Sequence, residues 1–370
     1  MIINIIYYSF LISSIIQILY WSVLFGRLAF FKIKKPLPNT EQVPVSVIIC
    51  AKNEATNLQK YLPSILKQNY SIFEVIVVND NSSDDTQKVL NNFKQQYQHL
   101  KILHLAEGDR TIKGKKYALS KGINSAKYPN LLLTDADCKA SSPEWITYMQ
   151  SYQSNERNIS LGYGPMFRHS GWLNILTRIE TTYTAIQYLS FALWNMPYMG
   201  VGRNLMYKKS LFDSVNGFES HGHIASGDDD LFISEAAKGK KINVILNEET
   251  FMYSEPKADL DSFLTQKGRH ISTSTHYRLI HKILLGSYSV TLFWLHVGFF
   301  VLIGLQISVN LVLFLYLARL IVFWVVNYSI FKKLKVFDLW LALPLLDILY
   351  LIYLLGIFPT LIFRNTNKWA

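Results

Sequence analysis

Two carboxylates two residues apart close an apolar run in "LLLTDADCKASS", Leu131 to Ser142. On a continuing strand Asp135 and Asp137 would share one face, because side chains alternate along a strand. Asp is depleted within strands, so the pair marks a strand's C-terminal end and the loop that it opens into. Paired hard oxygens there suit a divalent cation such as Mg²⁺ or Mn²⁺, ions that often also meet phosphates. The competing reading is a solvated turn, where Asp is also frequent. A second cluster, Asp228, Asp229 and Asp230 in "ASGDDDLFISEAAKGKK", precedes an apolar helix. Acids favour a helix's first turn through its dipole, but three in succession exceed what a cap requires. One of them could serve as a general base.

Strands and helices must position these groups. Residues 45–50 form an apolar strand, and 56–68 a helix with Leu58, Leu62, Ile65 and Leu66 on one side. A second strand at 73–78, a polar turn and a helix from Asp85 follow, then a third strand, "KILHLA". Next, "IKGKKYALSKGINSA" is a helix leading into the strand "NLLLTDAD". Such alternation implies right-handed crossovers and an α/β fold with a mostly parallel sheet. Ligands of these sheets sit beyond the strands' carboxyl ends. Here those ends carry Asn53 and Glu54, then Asp80, then Asp135 and Asp137. No Gly-x-Gly-x-x-Gly follows the first strand and no P-loop occurs, which argues against a dinucleotide or Walker site. Three strands delivering acids to one rim favour the cation.

The 370 residues carry a net charge of +11, and half of them are hydrophobic. Residues 2–31 hold no charge until Arg27, enough length to span a bilayer, which takes about 20 residues. Without a basic start or small-residue cleavage site, this is a retained anchor rather than a signal peptide. Residues 287–305 and 309–331 are two further expected spans, and 336–363, containing Pro344, Asp347 and Pro359, a third C-terminal one. The expected organisation is an anchor at 1–31, a linker at 32–44, a soluble domain with a first half at 45–140 and a second at 141–286, and membrane helices over 287–363.

Lys32, Lys34 and Lys35 after the first span and Lys332, Lys333 and Lys335 between the last two fall on one side if there are four spans. The positive-inside rule then places the soluble part of this integral membrane protein in the cytoplasm. The basic charge fits a domain lying on anionic lipid. No dense basic tract supports nucleic acid. Cys50 and Cys138, each near an apolar strand, are expected as reduced core thiols, with no zinc spacing.

"VSVIICAKNEATNL", "VIVVNDNSSDDT", "KGKKYAL" and "LLLTDADC" together resemble the catalytic domain of family 2 glycosyltransferases of GT-A fold, over roughly residues 43–285. The resemblance implies a nucleotide-diphosphate sugar donor, a UDP-sugar favoured. It implies that Asp80 holds base and ribose, with Ala51 and Glu54 lining that pocket. Asp135 would face the donor, and Asp137 would be the principal ligand of Mn²⁺ or Mg²⁺. Lys115 is expected near the diphosphate or, alternatively, on an exposed helix face. An inverting member also needs a base for the acceptor hydroxyl. The family's acidic pair aligns it with Asp228, Asp229 being the alternate, although Gly227 stands where the family has Glu. "QKGRH" resembles the family's Gln-x-x-Arg-Trp, implying diphosphate and acceptor contacts by Gln266 and Arg269, with His270 in place of Trp. "GVGRNLMYKKSLF" adds Arg203 and Asn204 as donor or acceptor contacts, or Arg203 as a plain ion-pair partner. Between these motifs, residues 173–202 are apolar and aromatic, suiting either an interfacial helix or a core helix.

The layout resembles lipid glucosyltransferases of the ceramide type, implying a lipid acceptor. A short polysaccharide synthase with a saccharide acceptor is the alternative. From another class, a membrane transporter with a regulatory cytoplasmic domain would require polar residues inside several spans.

Overall fold

The computed structural model describes residues 1–35, 41–106, 108, 112–154 and 156–363, the side chains of 357–363 excepted. The centre of the expected linker, 36–40, lies outside the described residues, as does the side chain of Pro359. Helix α1 (Ile2–Leu19) continues through a π-helical turn at Tyr20–Leu24 into α2 (Gly26–Ala29). The soluble part opens with β1 (Val45–Ala51), α3 (Ala55–Leu66), β2 (Phe73–Asp80), α4 (Thr86–Gln96), β3 (Leu100–Leu105), α5 (Lys115–Ser125) and β4 (Asn130–Asp135). After it come β5 (Cys138–Ala140), α6 (Trp145–Ser151), β6 (Ile159–Leu161), α7 (Trp172–Leu193), β7 (Leu205–Lys208), α8 (Lys209–Ser214) and α9 (Asp230–Ala236). The chain ends with β8 (Asn243–Val244), β9 (Met252–Ser254), α10 (Leu260–Ser274), α11 (Leu279–Gly304), α12 (Val309–Lys333) and α13 (Leu343–Phe363).

One sheet runs in the order β3-β2-β1-β4-β7-β6-β8, and β5 with β9 makes a separate two-stranded ribbon. The first four strands are parallel, and β7 is antiparallel to β4 and β6. Every residue of β1 is buried because both faces of the sheet are covered. Val45, Val47 and Ile49 share a core with Leu58, Leu62 and Ile65 of α3. Ile48 and Cys50 point the other way, into a core with Ala118, Leu119 and Ile123 of α5. Gly122 lets α5 approach this closely, since a Cβ there would come within 2.8 Å of Ile48. The register sets Ala51 beside Asn79 and Cys50 beside Asp135, so three strands end at one level. Both cysteines are free and buried, as expected.

Among the described residues, three helices are long and apolar enough to cross a membrane: Ile2–Ala29, Leu279–Gly304 and Val309–Lys333. The fourth expected segment forms α13, a helix of 21 residues. The segment 336–363 spends its start on a 3₁₀ turn at Phe337–Leu339, and the described apolar stretch of α13 is the shorter Leu343–Gly356. The second span begins at Leu279, earlier than the expected 287, because its helix continues inward through residues 279–286. Helix α7 is a packed helix: it is buried along most of its length and lies against α2 and α13. Tyr183 of α7 stacks on Tyr350 of α13 with ring centroids 4.2 Å apart.

Inside the bundle, Asp347 of α13 is fully buried and paired with the guanidinium of Arg319 in α12. His296 Nε2 of α11 lies 3.2 Å from its carboxylate, and the Tyr183 hydroxyl donates to it at 3.4 Å. Arg319 also donates to Gln17 of α1 at 3.0 Å. Polar residues therefore do occur inside several spans, and they pair with one another.

Candidate active site

The rim of the parallel sheet carries the first acids. Ala51 ends β1 and Asp80 ends β2, both buried. Asn53 takes a left-handed backbone (φ 56°), and its side-chain oxygen accepts from the Ser83 N–H at 2.8 Å. The Asp84 carboxylate accepts from the Ala55 N–H at 3.1 Å. The β1 and β2 loops are thus stitched together, with Glu54 between them, its N–H donating to the Thr86 hydroxyl at 2.9 Å. Burial raises the Glu54 carboxyl above its usual range, and the charge of Asp137 adds to this.

Asp135 closes β4, and Asp137 follows in the turn before β5. The ligand atoms of Asp135, Asp137 and Cys138 lie within 4.8 Å of one another. Burial pushes the Cys138 thiol well above its ordinary value, and the thiol donates to Asp137 at 3.3 Å, so it stays protonated and is a poor ligand. The two carboxylates remain, an all-oxygen donor pair that fits a hard divalent ion. Burial and the charge of Asp135 raise the Asp137 carboxyl, and a cation there would relieve both. Burial works upward on Asp135 too, yet the Lys115 ammonium outweighs it and holds that carboxyl below its ordinary value.

Lys115 joins the two acid clusters. It is ion-paired with Asp135 and lies 3.6 Å from Asp228, its side chain only 18% exposed. This overturns the exposed-lysine alternative: α5 starts at the rim, and its first residue points inward beneath Asp228. Lys115, Asp228, Gly202, Cys50 and Thr134 line one narrow cavity.

The three acids of the second cluster differ in environment. Gly227 has φ +97°, and a Cβ there would meet the Leu231 side chain at 2.6 Å, so a Glu at this position would be strained. Asp229 caps α9: it accepts from the Asp230 N–H at 2.8 Å and from the Gly202 N–H at 2.7 Å. Burial, with Asp228 and Asp230 beside it, pushes its carboxyl up to about 8. Asp230 is buried and accepts from Thr273 and, at 2.7 Å, from the Tyr277 hydroxyl, tying α9 to α10. Asp228 is the one that Lys115 links to Asp135 at the sheet rim.

Helix α10 brings Gln266 and Arg269 to half-buried positions and leaves His270 exposed. The buried Nε atoms of Arg269 and Arg203 have no hydrogen-bond partner among the described residues. Arg203 is close enough to draw both the Asp135 and Asp137 carboxyls downward. Asn204 is a correction. It is fully buried; its amide nitrogen donates to Tyr163 O and Thr250 O at 2.9 and 2.7 Å, and its oxygen accepts from Trp145 Nε1 at 3.0 Å. Both amide hydrogens and one lone pair of the oxygen are spent on the protein, which makes it a buried structural bracket.

Sequence reasoning missed Lys267 of α10, buried and ion-paired with Glu180 of α7, and Arg178, whose fork grips Asp338 at 2.7 and 2.8 Å. It also missed Arg319 and His296. A lone Arg at the middle of 309–331 and a lone Asp in the next apolar segment were the available signal, since intramembrane charges pair.

Two family models match this chain: Glycosyl transferase family 2 over residues 46–215, and Glycosyl transferase family group 2 over residues 146–363. A poly-beta-1,6-N-acetyl-D-glucosamine synthase of Staphylococcus epidermidis is 28% identical over 180 residues, covering 46% of this chain and 42% of that protein. The Staphylococcus aureus enzyme of the same name is 25% identical, covering 40% and 34%. The match thus spans less than half the length of these relatives. A mannosyltransferase of Pyrobaculum calidifontis, solved in complex with GDP-Man and Mn²⁺, shares the fold with a TM-score of 0.59 at 16% identity. That likeness covers 91% of this chain and 99% of the other.

Proposed function

This chain belongs to glycosyl transferase family group 2, and from that premise we propose an inverting, metal-dependent transfer of a sugar from a nucleotide diphosphate to a membrane-associated acceptor. The observation that carries the reading is Lys115, which sets Asp228 beside the donor carboxylate Asp135. Asp80, Ala51 and Glu54 hold the nucleoside, a uridine favoured. Asp137, with Asp135, would hold Mn²⁺ or Mg²⁺, which when bound neutralises charge growing on the leaving diphosphate. Arg203 and Arg269 bring unpartnered guanidinium N–H groups to the same charge. Asp228 takes the acceptor hydroxyl's proton while Lys115 fixes its position. Gln266 and His270 line the acceptor side. The GDP-Man and Mn²⁺ of the fold-sharing mannosyltransferase support this kind of donor and ion.

A lipid hydroxyl is the leading acceptor, because α10 and α7, which border the acid cluster, pack directly on α13. Saccharide elongation is the second reading, favoured by the similarity to the staphylococcal synthases. Transport is set aside: the intramembrane charges are spent on one another.

Asp137→Asn is expected to lower turnover by about 10²-fold or more, the usual cost of a lost electrostatic stabiliser. Release of nucleoside diphosphate from a panel of nucleotide sugars, with and without lipid extract, measures it. Full activity in excess chelator would remove the metal from the mechanism. The catalytic domain faces the cytoplasm in this reading. Protease added to intact cells should leave residues 41–278 whole, and external cleavage there would reverse the orientation.

A further inference from the structure

The ribbon of β5 and β9 extends the donor rim sideways. Cys138 and Ala140 are buried while Lys139 faces out. Lys139 lies two residues beyond Asp137 in the chain, so the ribbon's outer face begins next to that carboxylate. Against this face opens a cavity of about 430 Å³ lined by Lys139, Ser141, Phe167, Glu248, Glu249 and Tyr253. Its size lies within the roughly 300–1,000 Å³ of small-molecule sites.

One wall is a braced aromatic ladder. Phe167 stacks on Tyr253 at 5.4 Å and on Tyr61 at 5.7 Å. Glu255 pins the base of the ladder, gripping the Tyr61 hydroxyl, Lys60 at 2.8 Å and His169 at 2.9 Å. The carboxylate wall is held as well: Glu248 pairs with Lys335 at 2.6 Å, and Tyr148 donates to Glu249 at 3.4 Å. Lys335 sits in the turn between α12 and α13, so the cavity lies where the catalytic domain meets the membrane helices.

A pyranose has an apolar C–H face and a rim of hydroxyls. Aromatic rings take the first, while carboxylates, a lysine and a serine hydroxyl take the second. Rings beside charges of both signs suit neither a lipid tail nor a polyanion. We propose that this groove is a saccharide subsite, holding the sugar units of an acceptor that is already glycosylated. The proposal rests on the glycosyl-transfer reading above.

The test uses the full chain in detergent and calorimetry with gluco-, manno- and N-acetylgluco-oligosaccharides of one to five units. One series should bind with affinity rising over the first two or three units. Tyr253→Ala and, should that variant misfold, the exposed Lys139→Ala should weaken it about tenfold, with nucleoside diphosphate affinity unchanged. Binding by no series, or equal binding by wild type and the folded variant, would overturn the subsite. Failure of the transferase reading would show separately, as no nucleoside diphosphate release by the wild type.

Discussion

Asp228→Asn is expected to abolish sugar transfer while leaving nucleotide-sugar binding in place. The side chain keeps its size and loses its basicity, and a positioned general base contributes typically 10²–10⁴-fold. Three acids compete for the role, and their surroundings separate them. Asp230 is consumed by Thr273 and Tyr277, and Asp229 by two backbone N–H groups. With its carboxyl pushed up to about 8 by burial and its acidic neighbours, Asp229 leans to its protonated form at neutral pH. Asp228 keeps a partly open carboxylate beside Lys115, 17% exposed. Donor affinity by calorimetry, read beside product formation, is the measurement. Transfer by Asp228→Asn at the wild-type rate, with Asp229→Asn inactive, would move the base by one residue.

Asp229 carries a pH signature of its own. The folded site holds this proton more tightly than the unfolded chain, whose carboxyl has the ordinary value of 3.8. Its contribution to stability is therefore full below that value and is lost as pH rises through about 8. In Asp229→Asn the cap loses one acceptor, worth about 1 kcal/mol, and the decline of stability over that window should flatten. An unchanged pH profile of unfolding would show that Asp229 is ionised in the folded protein.

What the sequence made legible was local. The strands "VSVIICA", "VIVVND" and "NLLLTD" are continuous apolar runs, as doubly covered parallel strands must be, and the acids at their ends mark the rim. What it hid depends on long-range contacts. Lys115 looks like any lysine in a helix's first turn, and only the approach of Asp228, more than a hundred residues on, makes it a bridge. Asn204 in a glycine-rich segment reads as a contact residue until Trp145 and Thr250 close around its amide. The aromatic content of α7 was equally compatible with bilayer and core, and the stack of Tyr183 on Tyr350 decides for packing. Gly227 marked a departure from the family pattern, and its left-handed backbone is the physical reason.

Asp347→Ala is expected to destabilise the membrane bundle by about 3–5 kcal/mol, the cost of leaving one charge of a buried pair alone. Its carboxylate joins Arg319 of α12, His296 of α11 and Tyr183 of α7, and through Arg319 it reaches Gln17 of α1. One side chain thus touches or organises every helix around it, and water cannot replace what is removed. Attraction inside a pair offsets the desolvation of both charges, so replacing both with leucine should cost far less than removing either one. Thermal unfolding in detergent of Asp347→Ala, Arg319→Leu and the Asp347→Leu/Arg319→Leu double variant forms the comparison. Turnover should fall with the single variants, because α7, which Tyr183 docks onto Asp347, also carries Glu180, the partner of Lys267 two positions before Arg269. Single variants costing less than about 1 kcal/mol, or a double variant as unstable as the two losses added, would show that the pair does not hold the bundle together.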